Sequence, residues 1–203
     1  MNVHSSPPGD KYMSMTDKRD EIVRAALELI AEHGFHGAPM AMIAKRAGVG
    51  AGTIYRYFEN KDVLIGELYR ELELKFRPCL SAGYDRQHTI RGRFVHLATA
   101  LLRYFINCPL EFRYLEQFYN SPYGADFRRE KLLGKRDKGD LFCELLQEGV
   151  DQQVIKELPL TILAALAFGP LLSVARDHVL GFIILDDQLI DRTVEACWDG
   201  LKR

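Results

Sequence analysis

The feature that most constrains the fold is a pair of short helix-forming segments separated by a very short, glycine-containing connection. The first segment, over residues 39–47, begins with a proline that suits an initial helical turn, and a glycine follows it. The connection VGAG, residues 49–52, is too short for anything but a tight turn, and the next helix is predicted over 51–58. An amphipathic helix over 17–33 precedes both. Three helices in this order predict a helix-turn-helix.

The rest of the chain also has a helical pattern, with no convincing alternating strand. Asn60 caps a fourth helix, predicted over 60–76 because Pro78 would end it. This connecting helix joins a small N-terminal domain over 16–62 to a larger C-terminal domain over 63–203. The prediction is an all-α protein of about nine helices, of which the last five cover 90–107, 109–119, 125–152, 159–179 and 187–202.

Charge gives only a local signal for a nucleic-acid partner. The whole chain carries a net charge of −1, and residues 1–62 hold eight basic and eight acidic side chains. Residues 45–61 differ, because four basic side chains there oppose one acidic one: Lys45, Arg46, Arg56 and Lys61 against Glu59. Such a patch on a helix-turn-helix would attract the phosphate backbone of DNA.

The third helix places large side chains next to one another in the run YRYF, residues 55–58, and helical spacing sorts them into two faces. Ile54 and Phe58 are four residues apart and are predicted to pack in the core of the three-helix unit. The opposite side is predicted to hold three residues, with a fourth at its margin: Thr53, Arg56 and Tyr57, then Tyr55.

The chemistry of the outward face suits DNA. Tyrosine hydroxyls and arginine match phosphate oxygens, and a threonine at a helix start can reach a base edge. Gly52 would let the backbone N–H approach a phosphate, and Lys61 could add a further phosphate contact. The simpler alternatives stay open at this point: Tyr57 as a core aromatic, and Arg56 and Lys61 as solvated charges.

These segments resemble the tetracycline-repressor (TetR) family of bacterial transcriptional regulators. The resemblance covers residues 22–69 and rests on EHGF closing helix one, IAKRAGV in helix two, GTIYRYF in helix three and NKDVL opening helix four. It implies a homodimer on a palindromic double-stranded DNA operator, released when a small effector binds the C-terminal domain. The DNA contacts that it implies are Gly52, Thr53, Tyr55, Arg56, Tyr57 and Lys61.

Three departures from the family pattern weaken the expected contribution of helix two. Ala38 and Pro39 stand where the family usually has a hydroxyl residue that caps this helix, and Ala41 and Met42 replace a commonly polar pair. Gly50 replaces the usual serine cap of helix three. Most of the DNA contact is therefore expected from helix three and the lysine that follows it.

The C-terminal domain is rich in aromatic residues, most of which are expected to be ordinary core. Ligand pockets favour aromatic walls with a few polar groups, so a subset is predicted to line a cavity for an apolar or amphipathic effector. That subset is Phe105, Phe112, Phe118, Tyr119, Phe142 and Phe168.

An uncharged stretch of eighteen residues, 158–175, raises the question of a membrane. Pro159, Gly169 and Pro170 interrupt it, so we expect a buried helix, in a core or at a subunit interface, instead of a membrane span. Paired with the last helix across a two-fold axis, it would form a four-helix bundle. The predicted dimer interface, which draws on the resemblance as well, is Leu163, Leu166, Ala167, Leu171, Val174, Ile190, Val194, Trp198 and Leu201.

The sequence indicates no other chemistry. The four cysteines are widely spaced, with no CxxC pair, so we expect reduced thiols in a cytoplasmic protein and no metal site. No motif combines a nucleophile with a base, which predicts a protein that is not an enzyme and needs no cofactor. Residues 1–15 are expected to be a disordered tail without a signal peptide. Two alternatives remain: a DNA-binding factor of this architecture without an effector, and a helical enzyme.

Overall fold

The computed structural model describes residues 15–133 and 140–203 and divides the chain into two compact units. The first unit ends at Ile65, and the second runs from Gly66 to Arg203. The tail predicted over 1–15 lies outside the described residues except for Met15. The described part of the chain contains ten helices: α1 (Met15–Gly37), α2 (Met40–Arg46), α3 (Ala51–Tyr57), α4 (Lys61–Ser81), α5 (Ile90–Asn107), α6 (Pro109–Tyr119), α7 (Pro122–Leu133), α8 (Leu141–Asp151), α9 (Leu160–Val179) and α10 (Asp187–Leu201).

The all-α prediction is confirmed, and the helix-turn-helix forms where the sequence placed it. Helices α2 and α3 have seven residues each and are separated by four. Gly48, in the turn between them, has a φ of +66°, which a residue with a side chain rarely adopts. Gly34 interrupts α1 with a φ of 73°, at the place where the sequence predicted the end of the first helix.

Helix α4 is longer than predicted. It continues through Pro78 to Ser81, whereas the sequence predicted an end at residue 76. Proline lacks its own N–H, but its carbonyl can still accept, and the Pro78 carbonyl accepts from the Ala82 N–H at 2.9 Å. The proline therefore removes one hydrogen bond without ending the helix.

The single helix predicted over 125–152 is wrong. Two helices, α7 and α8, occupy this part of the chain, and residues 134–139 between them lie outside the described residues. Asp140 caps α8, because its carboxylate accepts from the N–H groups of Phe142 at 3.1 Å and Cys143 at 3.0 Å. An aspartate at an N-cap favours a new helix start over continuation, a signal that the sequence already contained.

The first unit has a core made by the apolar stripe of α1 and the inward residues of α2 and α3. Ile22, Ala26 and Ile30 on α1 and Ile43 on α2 have no solvent exposure. The first three recur at intervals of four residues, the spacing that places side chains on one helical face. This packing fixes the position of α3, whose outer side is described below.

The second unit is organised around α5, which packs against α6, α8, α9 and α10. Thr89 caps α5 by accepting from the Gly92 N–H at 3.1 Å. Arg93, only 2% exposed, donates to the Glu148 carboxylate at 2.8 Å and to the Tyr84 hydroxyl at 2.9 Å. A buried guanidinium needs such partners, and these two attach the segment before α5 to α8.

Candidate nucleic-acid interface and ligand cavity

The inward face of α3 is as predicted. Ile54 has no exposed surface, Phe58 is 1% exposed, and the Arg19 guanidinium lies 5.5 Å from the centre of the Phe58 ring. These contacts attach the short helix firmly to its own unit. The side chains of residues 55–57 therefore lie away from this buried face.

The outward face of α3 differs from the prediction in which of its residues are most exposed. Tyr55, predicted at the margin, is 55% exposed, and Arg56 is exposed as well. Thr53 and Tyr57 are partly buried. Gly52 is exposed, and no atom lies within 4 Å of the position that a side chain would occupy, so its backbone is open to an approaching group.

Neither short helix has a side-chain cap. Pro39 precedes α2 and Gly50 precedes α3, and only their backbone carbonyls accept from the first turn, at 2.9 Å from the Met42 N–H and 2.8 Å from the Thr53 N–H. This agrees with the departures noted in the sequence, where the usual hydroxyl residues are missing. Each helix consequently depends on tertiary packing for its start.

The positive charge of the segment is smaller than the sequence count suggested. Arg46 pairs with the Glu28 carboxylate at 3.1 Å and the Glu32 carboxylate at 3.8 Å, both on α1. Lys45 and Arg56 are exposed and have no ion pair within residues 15–133 and 140–203. The charge available to a phosphate therefore rests on these two side chains more than on Arg46.

Lys61 makes a contact within the first unit that the sequence did not show. Its ammonium donates to the carbonyl of Phe35, near the end of α1, and the side chain is partly buried. Partial burial lowers the pKa of Lys61, because desolvation disfavours the ammonium form, and the neighbouring Asp62 carboxylate opposes that shift. Lys61 thus holds the start of α4 against the end of α1, and Asn60 caps α4 by accepting from the Val63 N–H at 2.9 Å.

The six aromatic residues predicted to line a cavity contact other rings in three separate groups: Phe105 with Phe112, Phe142 with Phe168, and Phe118 with Tyr119. Phe105 and Phe112 pack together with 5.0 Å between ring centres, and Phe142 packs edge-on to Phe168 at 4.6 Å. Phe118 and Tyr119 belong to a third cluster, in which Phe118 stacks on Tyr69 at 4.2 Å. Aromatic rings in direct contact fill a core and leave little room for a ligand, so the prediction is corrected to three packed clusters.

An open cavity of about 740 Å³ lies elsewhere in the second unit, along the outer side of α5. None of the six predicted aromatics contributes to it. Its polar residues on α5 recur at helical spacing, as in His96, Thr99 and Arg103. From the sequence alone, this pattern predicts a helix side that faces solvent. Its walls are Cys79, Val95, His96, Thr99, Ala100, Arg103, Tyr104, Asn107, Cys108 and Asp191.

Most of the predicted dimer interface is already covered by the chain itself. Seven of the nine residues are 5% exposed or less, since the inner side of α9 packs on α10 and α5: Leu163, Ala167, Leu171, Ile190, Val194, Trp198 and Leu201. Leu166 is 38% exposed, and Val174 is partly buried. The predicted set is therefore corrected, because a second copy of the chain could not reach these seven side chains.

The opposite side of α9 is apolar and exposed. Ile162 is 47% exposed, and Leu166, Gly169 and Pro170 follow it on the same side of the helix. In the loop after α9, Phe182 is 75% exposed. By length and composition α9 could cross a membrane, although only 28% of its most apolar eighteen-residue window is buried in the chain.

Known proteins match both parts of the chain. Residues 22–68 match the family model of bacterial regulatory proteins, tetR family, and residues 90–202 match that of the tetracyclin repressor-like C-terminal domain. An uncharacterized HTH-type transcriptional regulator of Haemophilus influenzae is 25% identical over 93% of this chain and 97% of its own length. A fatty acid metabolism regulator protein of Bacillus subtilis is 49% identical, over 42% of each chain.

A solved structure extends the similarity to the fold. The putative transcriptional regulator TetR family protein from Vibrio parahaemolyticus superposes with a TM-score of 0.73 at 29% identity, covering 92% of this chain and 99% of its own. The second family model by itself spans more than half of the chain, from residue 90 to residue 202. With a helix-turn-helix at its start and that helical domain after it, the chain belongs to the TetR family of bacterial transcriptional regulators.

Proposed function

We propose that the chain is a dimeric repressor that binds a palindromic operator and leaves it when a small molecule binds the second unit. The observation that carries this proposal is the division of α3 into a buried apolar face and an exposed polar one. Ile54 and Phe58 fix the helix, while Tyr55 and Arg56 stand in solvent. An exposed arginine beside a tyrosine is suited to phosphate and base-edge contacts.

The DNA contacts that we propose follow from exposure. Tyr55 and Arg56 are the principal pair, with Thr53 and Tyr57 at the sides of the same face and Gly52 allowing close approach of the backbone. Lys61 can still offer a remaining N–H to a phosphate, because an ammonium group has three donors and the Phe35 carbonyl takes one.

The dimer that we propose uses the exposed side of α9. Ile162, Leu166 and Gly169 share that side, which carries no charge up to residue 175, and Phe182 is exposed in the loop after the helix. A second copy is its natural occupant, because two recognition helices are needed for two half-sites one DNA turn apart, about 34–36 Å. An isologous contact would bring the same surface from both copies together.

The release of DNA requires a ligand that distinguishes two placements of the recognition helices. Helix α4 begins in the first unit and ends in the second, so it is the element that could transmit such a difference. The cavity along α5 supports an effector-responsive regulator over an effector-free one. The match to the fatty acid metabolism regulator covers only 42% of each chain, so it does not identify an effector for this protein. We place the regulator in the cytoplasm, with its DNA.

A mobility-shift assay and nuclease footprinting on the DNA upstream of the gene test this proposal. We expect a shift at nanomolar to micromolar protein and a footprint of two half-sites separated by one helical turn. A scrambled duplex of equal composition is the control. If neither the upstream DNA nor any member of a random-sequence selection library is retained above that control, the proposal is wrong.

A further inference from the structure

We infer that the cavity along α5 binds small amphipathic molecules that carry a protonated amine. The inference rests on the proposed function only for its regulatory consequence, since binding to the second unit can be measured without DNA. The volume of about 740 Å³ falls within the 300–1,000 Å³ of typical small-molecule sites. Its walls combine apolar surface with a few polar groups, which suits an amphipathic ligand.

The charges around the cavity favour a cation. Arg103 is neutralised by the Asp187 carboxylate at 2.8 Å. Asp191, in the wall formed by α10, is exposed and has no ion pair in the described part of the chain. These three side chains therefore leave one negative charge at the cavity, and a carboxylate in this position can receive an ammonium group.

The neutral groups of the wall fit the rest of such a ligand. Tyr104 contributes an aromatic ring, whose hydroxyl is already bonded to the Glu111 carboxylate. Aromatic rings attract cations and also cover apolar chains. Val95 and Ala100 supply aliphatic surface, and a ring nitrogen of His96 is within 3.3 Å of the Leu80 carbonyl oxygen.

Two thiols in the wall provide a local reporter of occupancy. Cys79 is exposed at the end of α4, and Cys108 is partly buried between α5 and α6. Burial, followed by the Glu111 carboxylate and Cys79, raises the pKa of Cys108, so we expect Cys79 to react faster with a maleimide. Cys143 on α8, also partly buried, lies outside the cavity and serves as an internal control.

The experiment measures alkylation of each cysteine by N-ethylmaleimide, followed by peptide mass spectrometry, with octylamine or octanoate present. Each probe contains eight carbon atoms in an unbranched chain, and the two carry opposite charges at neutral pH. We expect octylamine to slow the alkylation of Cys79 and Cys108 in a saturable way and to leave Cys143 unchanged. Octanoate should give no protection at the same concentrations.

Two charge variants test the role of Asp191. Asp191→Asn should weaken octylamine binding by about two- to fivefold, the size typical of an exposed ion pair. Asp199→Asn removes the same charge from the same helix, outside the cavity, and should change nothing. Equal protection by octanoate, equal protection of Cys143, or equal effects of the two variants would overturn the inference.

A third variant tests the location independently of charge. Thr99→Phe should fill the cavity and abolish the protection of Cys79 by octylamine, with an unchanged far-ultraviolet circular dichroism spectrum. If that variant still shows full protection, the amine binds elsewhere and the inference is wrong. The proposed function fails separately, through a missing shift of DNA by the ligand-free protein, so the two failures can be told apart.

Discussion

Helices α3 and α9 each bury one side in their own unit and expose the other, but the exposed sides differ in chemistry. Helix α3 presents Tyr55 and Arg56, a polar pair beside an open glycine backbone. Helix α9 presents Ile162 and Leu166 on a side that carries no charge up to residue 175. The first surface suits a charged, hydrated partner such as DNA, and the second suits an apolar partner that excludes water.

This difference would keep the two proposed interfaces separate. An apolar side does not attract phosphate, and an arginine with solvated neighbours is costly to bury against a hydrophobic partner. The two surfaces therefore select different partners through their side chains alone.

The largest effect is expected from a charge on the exposed side of α9. Ile162→Glu would place a carboxylate in the proposed dimer interface, and we expect a monomer in size-exclusion chromatography with light scattering. Loss of the second recognition helix should lower the apparent operator affinity by about a hundredfold or more, because bivalent attachment is lost.

The control for this change is Leu74→Glu, at a residue of α4 that is 71% exposed and lies outside that surface. It introduces the same charge and should leave both the mass and the DNA affinity unchanged. A dimeric Ile162→Glu variant would show that α9 is not the interface.

A smaller but still large effect is expected at α3. Arg56→Ala should weaken operator binding by about tenfold or more, because an arginine that contacts bases or phosphates contributes roughly 1–3 kcal/mol. Thermal unfolding should not change, since the side chain is exposed. Arg70→Ala, which removes an exposed arginine on α4, is the matched control; the assignment fails if both variants bind operator equally well.

Lys61 should affect stability more than an exposed lysine does. Lys61→Gln weakens the bond to the Phe35 carbonyl, and we expect the free energy of unfolding to fall by about 1–3 kcal/mol. Chemical denaturation followed by circular dichroism measures this change. Lys45→Gln, at an exposed position of α2, should leave the free energy of unfolding unaltered. Equal stability of the two variants would show that the bond from Lys61 to the Phe35 carbonyl does not stabilise the fold.

The smallest predicted effect separates a free charge from a paired one. Lys45→Gln should reduce the slope of log affinity against log salt by about one, if Lys45 contacts a phosphate. Arg46→Gln should reduce it by less, because Glu28 and Glu32 already neutralise the guanidinium. Salt titrations of operator binding compare the two slopes, and a larger loss at Arg46 would contradict this assignment.

The sequence anticipated the first unit better than the second for a physical reason. Helix starts, turns and the inward face of α3 depend on residues within four positions of one another, as with Ile54 and Phe58. The clusters of the second unit depend on distant pairs, such as Tyr69 with Phe118. Aromatic content therefore predicted a pocket, whereas the rings that it selected fill cores.

The helix boundaries show the same limit at shorter range. Pro78 was expected to end α4, but the surrounding helix tolerates the loss of one hydrogen bond. Asp140 caps α8 within the stretch that was predicted as one helix. A residue that favours the end or the start of a helix acts locally, and the tertiary packing decides whether the helix ends or starts there.

The sequence by itself determined an all-α chain, a helix-turn-helix near its start and a two-faced third helix, because periodicity and turn chemistry act locally. Only the tertiary structure decided which side of α9 remains exposed, that Arg46 is neutralised and that Lys61 reaches the Phe35 carbonyl, 26 residues away. Each of these depends on which distant segment packs against the side chain. Contacts between residues far apart in the chain therefore become visible only when the complete fold is known.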